Sequence, residues 1–264
     1  MKRRAHIVFL TCTLTSCHPT PSASAASAAL EHMVFVPEGS FTGADGNQHK
    51  VPSFFMDRTE VTVEDYRECM RAGQCPGEVL WYSVFSPCRE NERCPRRRVT
   101  RACNFHRAGR ASYPMTCIGV GQAMNFCAWK GKRLPTEWEW EWAARGREEA
   151  RRFPWGEAEA TCEYAVMANP KTGRTGCRRG AAWPVGSRPE GASRDGVLDL
   201  AGNVQEFALG DRPNTATSRG GSFFEILPSQ FEVARRYNPY PFSSTFPYSG
   251  SDPTVGFRCV ASAP

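Results

Sequence analysis

The stretch CAWKGKRLPTEWEWEWAARG, residues 127–146, carries four of the seven tryptophans of the chain. Tryptophan and glutamate alternate over residues 138–142, and this period taken alone suggests a strand. A helix over residues 136–145 is the better prediction, because Thr136 and Glu139 form a capping box and an Arg-Gly pair ends the segment. Judged on its own residues, the stretch is interpreted as a tryptophan-rich corner of the core without chemistry.

Periodicity and turn signals predict further elements around this stretch. A helix is expected over residues 121–130, with Gly131 just past its end. Residues 33–41 predict a strand, a turn and a second strand, and residues 51–56 predict another strand. A helix is expected to begin at Thr62, where Asp65 supplies the second half of a capping box.

Residues 129–141 read W-x-G-K-R-L-P-T-E-x-E-W-E and resemble the signature of the formylglycine-generating enzyme family, also called sulfatase-modifying factors. Other landmarks similar to those of the family follow its order between residues 33 and 261. They are V-P-x-G-x-F at 36–41, E-V-T-x-x-x-Y at 60–66, F-P-W-G at 153–156, G-N-V-Q-E-F at 202–207 (G-N-V-W-E-W in the family), R-G-G-S at 219–222 and G-F-R at 256–258. The resemblance implies an α+β, C-type-lectin-like fold with little regular secondary structure and several disulfides, in one domain over residues 33–264.

The first sixteen residues have the layout of a secretory signal, with a basic start and a short apolar run. Leu-Thr-Ser-Cys at residues 14–17 resembles a bacterial lipobox, which implies cleavage before Cys17 and lipidation of its thiol. An ordinary signal peptide cut after Ala23 or Ala26 is the alternative. Residues 17–32 are rich in Pro, Ser and Ala and are expected to form a flexible tether. We therefore expect an exported lipoprotein of the bacterial cell envelope, in the periplasm or at the outer membrane or cell surface, joined to the membrane through Cys17.

The charge of the chain does not indicate a nucleic-acid partner. The formal net charge is +6, and removal of residues 1–16 with their three cationic side chains leaves +3. The basic run at residues 95–101 has little aromatic interleaving, so a solvated loop is the better interpretation.

Cysteine usage points to an oxidising compartment. Beyond Cys12 and Cys17 the chain has ten cysteines, an even number without the paired spacing of a zinc site. Short separations favour local disulfides, and the expected pairs are Cys69–Cys75, Cys88–Cys94, Cys103–Cys117 and Cys162–Cys177. The resemblance assigns the remaining two cysteines, Cys127 and Cys259, to one long-range bridge.

The resemblance also places a structural calcium ion at Asp199, Gly202, Val204 and Glu206. Two carboxylates and two main-chain carbonyls are oxygen ligands of the kind that calcium prefers. Without the resemblance, the same residues would be interpreted as a turn with two solvated acids. The family takes an asparagine for a second calcium site where this chain has Ala165, so that second site is not expected.

The catalytic residues are where the chain departs from the family. Its enzymes use two cysteines after R-G-G-S that bind copper(I) as thiolates and activate oxygen, whereas this chain has Glu225 and Gln230 there. A carboxylate and an amide are hard ligands, so no copper is expected. Thr254 stands where the family has an asparagine, and Ser222 alone remains of the constellation.

These departures predict a non-catalytic binding or accessory module of the formylglycine-generating enzyme type. The alternative is an enzyme, either a sulfatase-maturating oxidase or another oxidoreductase, with an altered active site. A protein or peptide partner would lie in a groove near residues 222–236. Family analogy lines this groove with Ser222, Glu225, Gln230, Arg235 and Arg236, and residues 239–242 would form its rim.

Overall fold

The computed structural model describes residues 32–43, 45–76, 103–237, 240–241 and 252–264. The strands within them are β1 (Met33–Val36), β2 (Gly39–Thr42), β3 (Gln48–Val51), β4 (Phe54–Asp57), β5 (Gln205–Leu209), β6 (Thr215–Arg219), β7 (Tyr240–Pro241), β8 (Val255–Gly256) and β9 (Val260–Ser262). The α-helices within them are α1 (Val63–Arg71), α2 (Val120–Trp129) and α3 (Glu137–Ala144). The expected signal peptide, the tether up to residue 31 and the basic run at 95–101 lie outside the described residues.

The strands pair into three small sheets. β1, β4 and β9 form an antiparallel sheet, β2 and β3 form a hairpin, and the third sheet has the order β7-β6-β5-β8. The two strands predicted within residues 33–41 are present as β1 and β2, but they do not form a hairpin, because β1 pairs with β4 and β2 pairs with β3. The strand expected over residues 51–56 is interrupted between Val51 and Phe54, where Pro52 has no N–H to donate to a ladder.

Helices α1 and α3 begin at the predicted capping residues, and α2 begins one residue before its predicted start at 121. Thr62 accepts a hydrogen bond from the Asp65 N–H, and the Asp65 carboxylate accepts one in return from the Thr62 N–H. Thr136 and Glu139 make the same reciprocal pair at the start of α3. Gly131 follows α2 with a φ of 70°, a left-handed conformation that glycine adopts without strain.

The tryptophans of α3 connect the helix to two sheets. Trp142 stacks on Phe41 of β2 with ring centroids 5.6 Å apart, and its indole N–H donates to the Pro37 carbonyl at 2.8 Å. Trp140 is buried and donates to Glu206 of β5 at 2.9 Å. Helix α3 is thus the hub of the fold, because burial of these rings holds the N-terminal hairpin and the third sheet together.

Four disulfides join the pairs that were predicted, namely Cys69–Cys75, Cys103–Cys117, Cys127–Cys259 and Cys162–Cys177. Cys88 and Cys94 lie outside the described residues. The Cys127–Cys259 bridge spans 132 residues and ties α2 to the segment just before β9. In the described part of the chain, no helix has the length and apolar character needed to cross a membrane.

Candidate functional site

The turn after β6 buries the serine of the R-G-G-S segment. Gly220 and Gly221 have φ values of 91° and 70°, which side-chain-bearing residues rarely adopt. A Cβ at Gly220 would lie 2.5 Å from the Leu200 carbonyl oxygen, so the turn also has no room for a side chain. The chain consequently turns inward, and Ser222 is completely buried.

Glu225 stands where the family has its first catalytic cysteine. Its carboxylate accepts hydrogen bonds from both side-chain and main-chain donors. One oxygen accepts from the Ser222 N–H at 2.7 Å and from the Ser222 hydroxyl. The other accepts from the Gln205 side-chain amide at 2.9 Å. Gln205 in turn accepts from the Ser218 hydroxyl at 2.6 Å. The carboxylate therefore bridges the turn and β5, and both of its oxygens already have donors.

The side chains of Gln230 and Thr254 form hydrogen bonds with partners other than Ser222 and Glu225. The Gln230 side-chain oxygen accepts from the main-chain N–H groups of Ile226 at 3.2 Å and Leu227 at 2.9 Å. The Thr254 side chain is bonded to Asp252, and only its main-chain carbonyl reaches the Gln205 N–H, at 2.8 Å. The structure thus brings Ser222 and Glu225 together, while the Gln230 side chain serves its own loop.

Tyr237 contacts the same loop through its hydroxyl and is a poor acid–base group. Its hydroxyl donates to the Gln230 carbonyl at 2.7 Å. Burial, together with the negative charge of Glu225, raises the pKa of Tyr237 well above its usual range. The phenol therefore remains protonated at neutral pH and acts as a hydrogen-bond donor.

A surface cavity of about 450 Å³ opens beside this network. Its lining residues are Leu227, Ser229, Gln230, Glu232, Ala234 and Arg235. Of the five residues expected to line a groove, only Gln230 and Arg235 do so. Arg236 instead forms an ion pair with Glu137 at 2.9 Å and lies over the Trp138 ring. The expected rim residues 239 and 242 lie outside the described residues.

The predicted calcium ligand Glu206 is paired with an arginine. Both of its carboxylate oxygens accept from Arg258, at 2.6 Å from Nη2 and 2.7 Å from Nε. One of them also accepts from the Trp140 indole N–H. Arg258 donates further to the Leu198 and Asp57 carbonyls, so its guanidinium is tied to three parts of the chain.

The predicted ligand Asp199 lies near a second buried carboxyl group, that of Glu60, and burial raises the pKa of both. Asp199 accepts from the Gly186 N–H, and the Glu60 Oε2 has no hydrogen-bond partner among the described residues. Burial, together with the negative charge of Asp199, raises the pKa of Glu60 well above its usual range. Asn203 donates to the other Glu60 oxygen at 2.9 Å. Burial thus favours the protonated form of Glu60 beside Asp199.

This arrangement does not fit calcium at the predicted ligands. Calcium takes several free oxygen atoms around one point, whereas both Glu206 oxygens are already bound by Arg258. The Asp199 carboxylate accepts from the Gly186 N–H. At the other two predicted positions, the Gly202 N–H donates to the Gly220 carbonyl and the Val204 side chain is buried. A divalent ion at Glu206 would also be repelled by the Arg258 charge. Among the residues that the structure describes, no group of three or more His, Cys, Asp or Glu is placed to hold a metal ion.

Three residues of this site were not expected from the sequence, namely Gln205, Glu60 and Arg258. Gln205 replaces a tryptophan of the G-N-V-W-E-W pattern, and this local departure was a usable signal. Glu60 and Arg258 were recognised only as parts of E-V-T and G-F-R landmarks. Their partners lie far away in the sequence, and neither motif indicates them.

Comparison with known proteins shows the family to which this fold belongs. Residues 19–263 match the family described as Sulfatase-modifying factor enzyme 1-like domain. The chain belongs to this family. The "Inactive C-alpha-formylglycine-generating enzyme 2" of Bos taurus is 28% identical over 270 residues, covering 88% of each chain. The "Formylglycine-generating enzyme" of Mycobacterium tuberculosis is 35% identical over 185 residues, covering 58% of this chain and 59% of that protein.

Two solved structures are similar to this chain in fold. The structure of PvdO from Pseudomonas aeruginosa superposes with a TM-score of 0.61 at 21% identity, covering 88% of this chain and 94% of that one. The crystal structure of CarF gives a TM-score of 0.58 at 18% identity, with coverages of 88% and 98%. The predicted α+β fold of the formylglycine-generating enzyme type, similar to C-type lectins, is thereby confirmed.

Proposed function

We propose that this protein is a non-catalytic member of the family, exported and anchored by lipid at Cys17, that acts as a binding or accessory module. The observation that carries the proposal is the Glu225 carboxylate, which stands at a thiol position and is bound by Ser222 and Gln205. A hard carboxylate whose oxygens are already paired does not offer a soft ligand for copper(I).

The second thiol position supports the same proposal. Gln230 directs its side-chain oxygen to two main-chain N–H groups of its own loop, away from Ser222 and Glu225. Restoring the chemistry would therefore require two new thiols and a rearranged loop. Inactive members of the family exist as a named class, and two of the most similar relatives, from Bos taurus and Mus musculus, carry that name.

Export is supported by disulfide content and by the start of the sequence. Four described disulfides suit an oxidising compartment. The lipobox-like residues 14–17 and the Pro/Ser/Ala-rich segment after them suit a cell-envelope lipoprotein. Acyl modification of Cys17 is measured directly by mass spectrometry of the membrane-extracted protein, and an unmodified thiol contradicts the anchor.

A peptide or protein partner would bind at the cavity beside the network. Leu227 lines the cavity and exposes 58% of its surface, and Arg235 adds a positive charge, while the lining residue Glu232 is paired with Arg152. An exposed large apolar side chain next to a cation suits a peptide with an apolar and an acidic side chain.

Oxygen uptake distinguishes the binding module from the oxidase alternative. The full chain would be incubated with copper(I), oxygen and a C-x-P-x-R peptide, beside copper(I) and peptide alone. We expect the same rate of oxygen uptake in both. Uptake that requires the chain and saturates with the peptide would establish an oxidase with rearranged ligands and would overturn the proposal.

A further inference from the structure

The segment that contains Trp183 is basic, and none of its residues lines the cavity. We call its five cations the basic surface: Lys171, Arg174, Arg178, Arg179 and Arg188. Residues 164–189 contain no aspartate or glutamate. Lys171, Arg174, Arg178 and Arg179 are exposed, and Arg188 is half-buried. The segment therefore carries five positive charges and no negative one, and four of the five are exposed.

Two of the cations are held against one aromatic ring. The guanidinium carbons of Arg179 and Arg188 lie 3.7 Å and 4.0 Å from the centroid of the Trp183 ring. The ring itself is fixed, because its indole N–H donates to the Gly176 carbonyl at 2.9 Å and the Trp183 N–H donates to Asn203 at 2.9 Å. Stacking on a fixed ring orders two like charges that would otherwise move apart.

These charges lack neutralising partners within the described part of the chain. None of its ion pairs involves any of the five cations. The buried Nε of Arg188 has no hydrogen-bond partner there either. Burial and the nearby Arg179 lower the pKa of Arg188, and the buried Asp199 opposes them only in part. An external anion would relieve this excess of positive charge.

The start of the described chain lies close to the basic surface. The His32 carbonyl accepts from the Arg58 N–H at 3.0 Å. The next residue, Thr59, packs near Gly186, since a Cβ at Gly186 would lie 3.6 Å from the Thr59 methyl group. Gly186 is two residues before Arg188. Arg58 is itself exposed and adds a cation at the point where the tether leaves the domain.

We propose that the basic surface binds the phosphate headgroups of anionic lipids in the membrane to which the tether leads. This proposal rests on the lipid-anchored location proposed above. Residues 17–31 span at most about 50 Å when extended, so the domain stays close to its membrane. Guanidinium groups match phosphate geometry, and a cation near an anionic bilayer strengthens binding about fivefold, which corresponds to about 1 kcal/mol.

Vesicle co-sedimentation tests the proposal. The full chain carrying Cys17→Ala, which has no acylation site, would be mixed with vesicles of phosphatidylcholine with or without phosphatidylglycerol. We expect binding to the anionic vesicles only, and its loss at about 1 M salt, where the Debye length falls to about 3 Å. Arg174→Gln/Arg178→Gln/Arg179→Gln should weaken binding by roughly 100-fold, from three cations at the membrane surface.

A second triple variant provides the matched control. Lys50→Gln/Arg71→Gln/Arg212→Gln removes the same charge from exposed positions elsewhere and should weaken binding by less than about threefold, a net-charge effect only. Equal binding to neutral vesicles, no binding to anionic ones, or equal losses in the two triple variants would overturn the proposal. So would stronger binding of pyrophosphate or duplex DNA than of anionic vesicles, because the surface would then serve a soluble anion. Oxygen uptake by the same preparation tests the proposed function separately, so the two failures are distinguishable.

Discussion

Arg258 donates to both carboxylate oxygens of Glu206, at 2.6 Å from Nη2 and 2.7 Å from Nε. Each of the two residues exposes 1% or less of its surface to solvent. The pair joins β5 to the segment before β9, next to the Cys127–Cys259 bridge. At the place where the sequence suggested a metal ion, the fold is thus held by an ion pair within the chain.

Removing the cation of this pair should destabilise the protein strongly. Arg258→Met leaves the Glu206 charge buried without its partner, and we expect a loss of about 3–5 kcal/mol in the free energy of unfolding. Urea denaturation at pH 7 measures it. Arg194→Met is the control, because Arg194 pairs with Glu148 and Glu149 at the surface and should cost less than about 1 kcal/mol. Equal losses in the two variants would contradict a structural role for the buried pair.

The Glu60–Asp199 pair should make stability depend on pH. Because the folded-state pKa of Glu60 is raised above its ordinary value of 4.5, folding binds a proton there, and this stabilisation is lost as pH rises toward the raised pKa. Glu60→Gln keeps the size of the side chain but cannot ionise. The difference in Tm, variant minus wild type, should therefore increase from pH 5 to pH 8. A constant difference across that range would show that Glu60 does not titrate with folding.

Calcium should leave the stability of the protein unchanged. Both Glu206 oxygens are bound by Arg258, so calcium would have to break this buried ion pair. Thermal melts with excess calcium and with chelator should give the same Tm. A Tm that rises in calcium for the wild type but not for Asp199→Asn would support the ligand set implied by the family resemblance. It would contradict the conclusion that calcium does not fit at Glu206 beside Arg258.

The two classes of disulfide should differ in their contribution to stability. Cys127–Cys259 closes a separation of 132 residues and Cys69–Cys75 one of 6. In the loop-entropy account, their removal as Cys→Ser pairs should cost about 5 and about 2 kcal/mol. Denaturant unfolding of the two double variants measures the difference. A greater loss from the Cys69–Cys75 variant would show that local packing outweighs loop closure.

Local chemistry made the helices and short disulfides predictable. Thr136 with Glu139 begins α3 because both halves of a capping box lie within one turn. The short-range pairs, such as Cys162–Cys177, follow from their close spacing in the chain. The Cys127–Cys259 pair, in contrast, came from the family resemblance alone, since its spacing carries no such signal.

Non-local pairing explains what the sequence did not reveal. β1 and β2 are adjacent in sequence but pair with different strands, and Pro37-Glu38 gives no sign of this choice. Glu206 was expected to bind calcium because the family resemblance places a ligand at this position. Its actual partner, Arg258, lies 52 residues away, and Glu60 lies 143 residues from Asn203. Buried charges are paired by the tertiary fold, which local patterns do not describe.

The mass of the cysteine in a C-x-P-x-R peptide tests the central claim most directly. After incubation of the full chain and peptide with copper(I) and oxygen, we expect the peptide to keep its cysteine, because Glu225 and Gln230 supply no thiolate. A peptide incubated without the chain corrects for spontaneous oxidation of the thiol. Conversion of the cysteine to formylglycine that occurs only when the chain is present would contradict the assignment of this protein as a non-catalytic module.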